Sequence, residues 1–380
     1  MTLGGEAWSR TATARVLVVA MLAGCIVLSR PLWGTVREYP PAPWLALPPL
    51  PGALSPWMLP ALLVLLALAL VPRPWTPLPF VAVAAVLVLW DQTRLQPWLY
   101  QGALFLGAFA LAGRARPACQ LVLVATYFWS GVSKLNPDFG PAVLPWALKP
   151  LGAAASLPAE WMAPLGMALG ALEALIGVGL LLPRTRRPAA VAAALMHGVL
   201  LLAIGPLGQD WNPVVWPWNL GLAILVLLLF WDDDHGPRAI VWSGDWYHRA
   251  LVVLVAVLPA LHPVGLWDAY LSFSLYSLNV DEAWLAAERA AASSLGPHAR
   301  AVAETGSDGR LIVRFLPWAM RDVRTPPYPE RRAYVAAFRT LCERTANPGG
   351  LRLVVVRSRA PFAANRPAPE LFTCGMARAA

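Results

Sequence analysis

The sequence predicts an all-α polytopic membrane bundle of about nine transmembrane helices, followed by a small C-terminal exoplasmic α+β domain of ferredoxin-like topology. Three observations carry this. Hydrophobic residues make up 58% of the 380 residues and charged residues 13%, with a mean hydropathy of +0.55; a soluble domain carries about a quarter charged residues. Apolar windows of membrane-crossing character repeat from residue 14 to residue 267. Beyond Trp267 the pattern changes to alternating strand-like and helix-like segments. The predicted domains are residues 1–268 and 269–380.

The windows are roughly 14–31, 54–72, 78–93, 98–113, 118–135, 161–182, 188–205, 213–231 and 249–267. The first has no Ala-x-Ala cleavage site before Pro31, so it reads as a retained span. The third and fourth are short and punctuated by Pro72, Pro74, Pro77, Pro79 and Pro97, which suits tilted or partly interfacial segments. Nineteen tryptophans, many beside window ends, suit an interfacial aromatic belt.

Loop cations set the expected orientation. One set of alternate loops carries Arg10, Arg15, Arg73, Arg114, Arg116, Arg184, Arg186, Arg187, Arg238 and Arg249; the other carries Arg30, Arg37, Arg94, Lys134 and Lys149. The first set outnumbers the second two to one and is expected inside. The amino terminus is then cytoplasmic and, after nine spans, the C-terminal domain is exoplasmic, as in a bacterial inner membrane protein with a periplasmic domain. The acidic run Asp232-Asp-Asp234 falls on the inside but counts little in this rule. The net charge of +9 fits this topology and anionic lipid headgroups, and is not read as nucleic-acid binding.

In the C-terminal region, Leu271–Leu278 alternates like a strand. Asp281–Ser294 reads as a helix capped by Asp281, and Gly306-Ser-Asp-Gly309 as a hairpin between strands at 299–304 and 311–316. Tyr328–Thr345 reads as a second helix, Leu351–Arg357 as a strand, and Pro361 onward as an irregular tail. The order β-α-β-β-α-β is that of a split βαβ module. Cys25 and Cys119 lie in or beside spans. Cys342 and Cys374 lie in the exoplasmic region, where an oxidising compartment permits a disulfide. No Cys/His spacing suggests a metal.

Few ionisable groups fall within the windows. Lys134, one of only two lysines, ends the fifth window in Thr126-Tyr-Phe-Trp-Ser-Gly-Val-Ser-Lys-Leu-Asn-Pro-Asp-Phe139. A charge at the bilayer centre costs roughly 2.5–3.5 kcal/mol on insertion scales. Lysine, unlike arginine, changes protonation readily when desolvated and can serve as a base; the other reading is a lysine snorkelling to the interface. Glu173 and His197 lie near the middles of the sixth and seventh windows, at matched depth on antiparallel neighbours. They are expected within hydrogen-bond reach, either pinning two helices or handling protons. Helix rise places Lys134 roughly half a membrane thickness above Glu173, with Asp138 and Asp210 as its nearer partners. The eighth window opens with Trp216-Pro-Trp-Asn219.

Tyr127-Phe-Trp-Ser-Gly-Val-Ser-Lys-Leu-Asn-Pro-Asp138 resembles the signature segment of the HTTM family, which includes vitamin K-dependent γ-glutamyl carboxylases. The resemblance implies Lys134 as the base acting on a quinol, and His197 with the Gly205–Asn212 turn is similar to a downstream element of that family. The chain departs from it in having a much shorter C-terminal region, and Ser133-Lys134 where the family has paired lysines. Residues 121–205, with Leu172-Glu173 and Gly177-Val-Gly-Leu-Leu-Leu182, also resemble DoxX/MauE-type four-helix membrane proteins, which are linked to quinone or thiol redox processes. Both resemblances imply a quinone or quinol as cofactor. With the intramembrane polar residues above, the expected catalytic set is Lys134, Glu173 and His197, and the expected cofactor contacts are Trp129, Trp216, Trp218 and Asn219. The rival function is a non-catalytic subunit or scaffold whose C-terminal domain docks a membrane or periplasmic partner.

Overall fold

A computed structural model describes residues 3–45, 47–152, 157–233, 235–242, 244–358 and 367–379. The major helices are α1 Leu3–Leu28, α2 Ser55–Leu68, α3 Leu78–Trp90, α4 Pro97–Leu111, α5 Ala115–Ser133, α6 Phe139–Leu148, α7 Ala159–Leu181, α8 Arg186–Ile204, α9 Val215–Phe230 and α10 Trp246–Leu251. Beyond α10 the helix continues as a π turn over Val252–Val257 and a 3₁₀ turn over Leu258–Val264. Pro259 and Pro263 lack the N–H groups an α-ladder needs, which accounts for the change of pitch. Each of the nine apolar windows lies on one of these helices. Among the described residues, four helices are long and apolar enough to cross a membrane: Arg10–Leu28, Ala159–Leu181, Arg186–Ile204 and Trp246–Val264. Their outward faces are apolar: Leu175 and Leu195 are 64% and 65% exposed, and Leu172, Val199 and Leu202 are also exposed. Such a surface suits hydrocarbon rather than water.

The chain divides into two compact units. The first comprises Met1–Cys25, Leu62–Ala82 and Pro97–Asn279; the second comprises Ile26–Ala61, Val83–Gln96 and Val280–Ala380.

Within the first unit, α5 crosses α7 at unusually short range. A Cβ on Gly131 would overlap the backbone of Ala174 and Gly170, and one on Gly177 would lie 2.7 Å from the Phe128 nitrogen. The N-terminal half of α7 runs past the end of α5 and packs on α6, where a Cβ on Gly140 would overlap the Met162 carbonyl. One end of the unit is closed by charges. Arg186, almost fully buried, donates to Asp233 Oδ2 at 2.9 Å and to the Leu180, Leu181 and His235 carbonyls. Gln120 also donates to Asp233, at 2.9 Å. Asp233 of the acidic run is therefore a structural anchor, whereas Asp234 lies outside the described residues. Arg15 donates to Val71, Arg73 and Thr76, tying down the turn after α2.

The second unit holds a five-stranded antiparallel sheet, β1 Glu282–Ala287, β2 Ala303–Thr305, β3 Leu311–Arg314, β4 Leu351–Val356 and β5 Glu370–Thr373, in the order β2-β3-β1-β4-β5. Helices α11 Phe315–Asp322, α12 Arg331–Arg344 and α13 Cys374–Ala379 accompany it. The Gly306–Gly309 hairpin is present, with Gly309 at φ 78° and the left-handed backbone that favours glycine.

Three local expectations are corrected. Leu271–Leu278 is not a strand: Tyr270–Ser272 is a 3₁₀ turn, and Phe273, Tyr276 and Leu278 have positive φ. Of the helix expected over Asp281–Ser294, Glu282–Ala287 is β1, because pairing to both β3 and β4 outweighs helix propensity, and Arg289–Ala292 is a single helical turn. Asp281 instead accepts from the Arg331 and Ser358 backbone nitrogens. The C-terminal tail is ordered as β5 and α13 from Glu370, while 361–366 lie outside the described residues. Cys342 and Cys374 form the expected disulfide, with Cα atoms 5.7 Å apart, which ties α12 to the start of α13.

Candidate functional site

Lys134 caps the C-terminus of α5. Its side chain folds back along the helix, where Nζ donates to Ser130 O at 3.1 Å and to Ser130 Oγ at 2.7 Å. The third direction is taken by Glu173 Oε2 at 2.8 Å, with the two side chains only 12% and 13% exposed. The expected separation of Lys134 from Glu173 is thus overturned, as are Asp138 and Asp210 as its partners. The close glycine crossing brings the end of α5 level with the middle of α7. The α7 segment before Gly170, about 16 Å at the α-helical rise, lies beyond that level beside α6. A depth estimate that starts both helices at one membrane surface errs by this length.

His197 on α8 is buried. It forms no direct hydrogen bond with Glu173; both ring nitrogens are otherwise engaged. Nε2 lies 2.9 Å from Tyr127 Oη and Nδ1 lies 2.9 Å from Asn219 Oδ1. Asn219 Nδ2 donates to the Val215 carbonyl at 2.8 Å, which turns its oxygen toward the ring. In the neutral ring Nδ1 therefore carries the hydrogen, and Tyr127 donates its hydroxyl hydrogen to Nε2. The result is a directed chain, Tyr127 O–H to His197 to Asn219, joining α5, α8 and α9. Glu173 acts electrostatically on both Tyr127 and His197, and Lys134 acts on His197. The ion pair and the hydrogen-bonded chain therefore form one electrostatic centre.

A neighbouring polar contact set shares α5 and α9. Gln101 donates to Thr126 Oγ1 at 2.8 Å and accepts from Trp218 Nε1 at 2.7 Å. Trp218 is thus a buried helix linker. Trp216 donates to the Ile204 and Trp211 carbonyls, and Trp129 packs edge-on against Phe128. Of the four expected cofactor contacts, only Asn219 joins the centre directly. Sequence reasoning missed Tyr127, Ser130 and Asn136. Tyr127, Ser130, Gly131 and Lys134 follow helical spacing on one face, a signal readable in advance. Asn136 bonds Ser133 and Ser277 carbonyls and accepts from Phe139 N, fixing the turn from α5 into α6. Among the described residues no group of three His, Cys, Asp or Glu side chains gathers as a metal site.

Fold and centre together define a polytopic helical membrane protein with a polar, hydrogen-bonded cluster between its helices. Residues 101–208 match the family model described as Methylamine utilisation protein MauE. That segment is similar to the MauE family, covers less than a third of the chain's length and contains Tyr127, Lys134, Glu173 and His197. This match falls on the second of the two sequence resemblances; the HTTM resemblance has no such match. No curated protein and no solved structure matches the chain.

Proposed function

We propose that the centre formed by Lys134–Glu173 and Tyr127–His197–Asn219 binds a lipid-soluble quinol and handles its protons. The observation behind this reading is the buried ion pair set beside a hydrogen-bonded histidine, all but Asn219 within the MauE-like segment. A bound quinol offers two weakly acidic hydroxyl groups, and the reading concerns where their protons are held, with no electron transfer assigned to these residues. Lys134 enters as an ammonium held by Glu173 rather than as a free amine base. A quinol hydroxyl replacing Lys134 at Glu173 would leave that carboxylate as the proton acceptor and the ammonium as its electrostatic partner. His197 Nε2 is the second acceptor, once Tyr127 turns its hydroxyl away. Trp129 and Trp216, both half-buried, are the candidates for an apolar wall, since Trp218 is buried.

The test is a titration of the full chain in nanodiscs with a water-soluble quinol, read by tryptophan fluorescence. Saturable quenching that weakens at least tenfold in Glu173→Gln and His197→Gln, with thermal stability kept in at least one, is expected. The absence of saturable quenching in the parent protein would refute the reading. The second reading, a non-catalytic subunit, draws on the same geometry: each polar group of the centre already has a protein partner, as helix pinning requires.

The nine-span topology, a cytoplasmic amino terminus, an exoplasmic C-terminal region and residence in a bacterial inner membrane belong to the same proposal. The Cys342–Cys374 disulfide supports it, because disulfides persist in oxidising compartments. The strand order β2-β3-β1-β4 supports the ferredoxin-like reading of that region, with β5 as an added edge. Labelling of single cysteines at the exposed positions Arg184 and Asp210 tests the orientation; reaction at 184 from outside would reverse it.

A further inference from the structure

The second unit contains a cavity of about 280 Å³ that the proposed quinol chemistry does not use. Its polar wall is arginine-rich. Arg37 and Asp91 are 3% and 1% exposed and pair at 2.6 Å, and Arg94 lies 3.8 Å from the same carboxylate. One buried carboxylate thus serves two buried guanidinium groups. Arg344, at the end of α12, also lines the cavity, close enough to Arg37 to feel its charge. Among the described residues Arg344 makes no hydrogen bond and no ion pair within 4 Å; Glu343 beside it is the nearby acid. Thr340 adds a hydroxyl, and Leu47 and Trp90 line the same space with apolar surface. The lining thus holds three arginines, buried Arg37 and Arg94 and exposed Arg344, against the two acids Asp91 and Glu343, a surplus of one positive charge with room for an anion beside an apolar wall.

We propose that this cavity binds a phosphoryl anion, clamped between Arg37 and Arg344, with Leu47 and Trp90 receiving any apolar group attached to it. Arginine forks suit such an anion because they offer paired N–H donors. The phosphoryl group has two sources, a lipid headgroup or free phosphate, and the apolar wall favours the lipid.

The test uses the full chain in neutral detergent, titrated calorimetrically with short-chain phosphatidylglycerol and separately with inorganic phosphate. Saturable binding of the lipid, at least tenfold weaker in Arg344→Gln, is expected; Arg344 is surface-accessible, so this variant should fold. Leu47→Trp should weaken the lipid tenfold and leave phosphate unchanged if the source is lipid. Equal loss of affinity for phosphate alone, with no lipid binding, would assign free phosphate and keep the clamp. No saturable binding of either probe, or binding unaffected by Arg344→Gln, would overturn the proposal.

Discussion

Removing both partners of the Lys134–Glu173 pair should cost less than the sum of removing each alone. The pair is 2.8 Å apart and about seven-eighths buried. At an effective dielectric of about 20 its gross Coulomb attraction is about 6 kcal/mol. Desolvation of the two ions offsets most of this, and Lys134 keeps its two Ser130 contacts when Glu173 is lost. A net coupling of about 1–3 kcal/mol remains, within the range for buried pairs and above the usual membrane hydrogen bond. The perturbations are Lys134→Met, Glu173→Gln and the double variant. The assay is SDS-driven unfolding of the full chain in mixed micelles, followed by tryptophan fluorescence. Lys134→Met strands the carboxylate and Glu173→Gln strands the ammonium, so each should destabilise by about 2–3 kcal/mol. The double variant should lose about 1–3 kcal/mol less than their sum. Additivity within about 0.5 kcal/mol would refute a coupled buried pair.

Gly131→Val should lower stability by at least about 2 kcal/mol, because its Cβ meets the Ala174 backbone; a melting temperature equal to the parent's would contradict the crossing. Cys342→Ser removes a link of 32 residues and should cost about 3–4 kcal/mol by loop entropy, and the parent should run 2 Da lighter than its reduced form by mass spectrometry, as about two hydrogens are lost in oxidation. Burial opposes ionisation of Asp91, but Arg37, Arg94 and the Ala42 N–H outweigh it and hold its carboxyl below its ordinary value. Its stabilising contribution is therefore complete above the unfolded pKa of about 3.9 and lost as pH falls through the lower folded value. Asp91→Asn should destabilise at neutral pH and flatten the acid limb of the unfolding curve; an unchanged limb would remove Asp91 from the account.

The helices were legible because lipid-facing segments are apolar on all sides, so even α3 and α9 stand out without amphipathic periodicity. Lys134, Glu173 and His197 were legible as isolated polar residues in such segments. Their pairing was not, because it depends on relative helix depth. Phe139–Leu148 read as loop, yet it is α6, and α7 extends beside it; that shift moved Glu173 to Lys134 and left His197 to Tyr127 and Asn219. The β1 error has a different origin. Glu282–Ala287 is rich in helix formers, and only the flanking strands, distant in sequence, make it a strand.

The Arg186–Asp233 anchor separates two roles that a loop arginine can hold at different times. During insertion, a positive charge on the nascent chain biases which side a loop stays on. Asp233 has no part in that choice, because its helix emerges later and acids count little. Once α8 and α9 have met, the same guanidinium is enclosed by protein and no longer presents its charge to headgroups. Orientation is thus a matter of biogenesis and anchoring a matter of equilibrium. Asp233→Asn should leave the chain threaded the same way and loosen only the assembled end of the bundle.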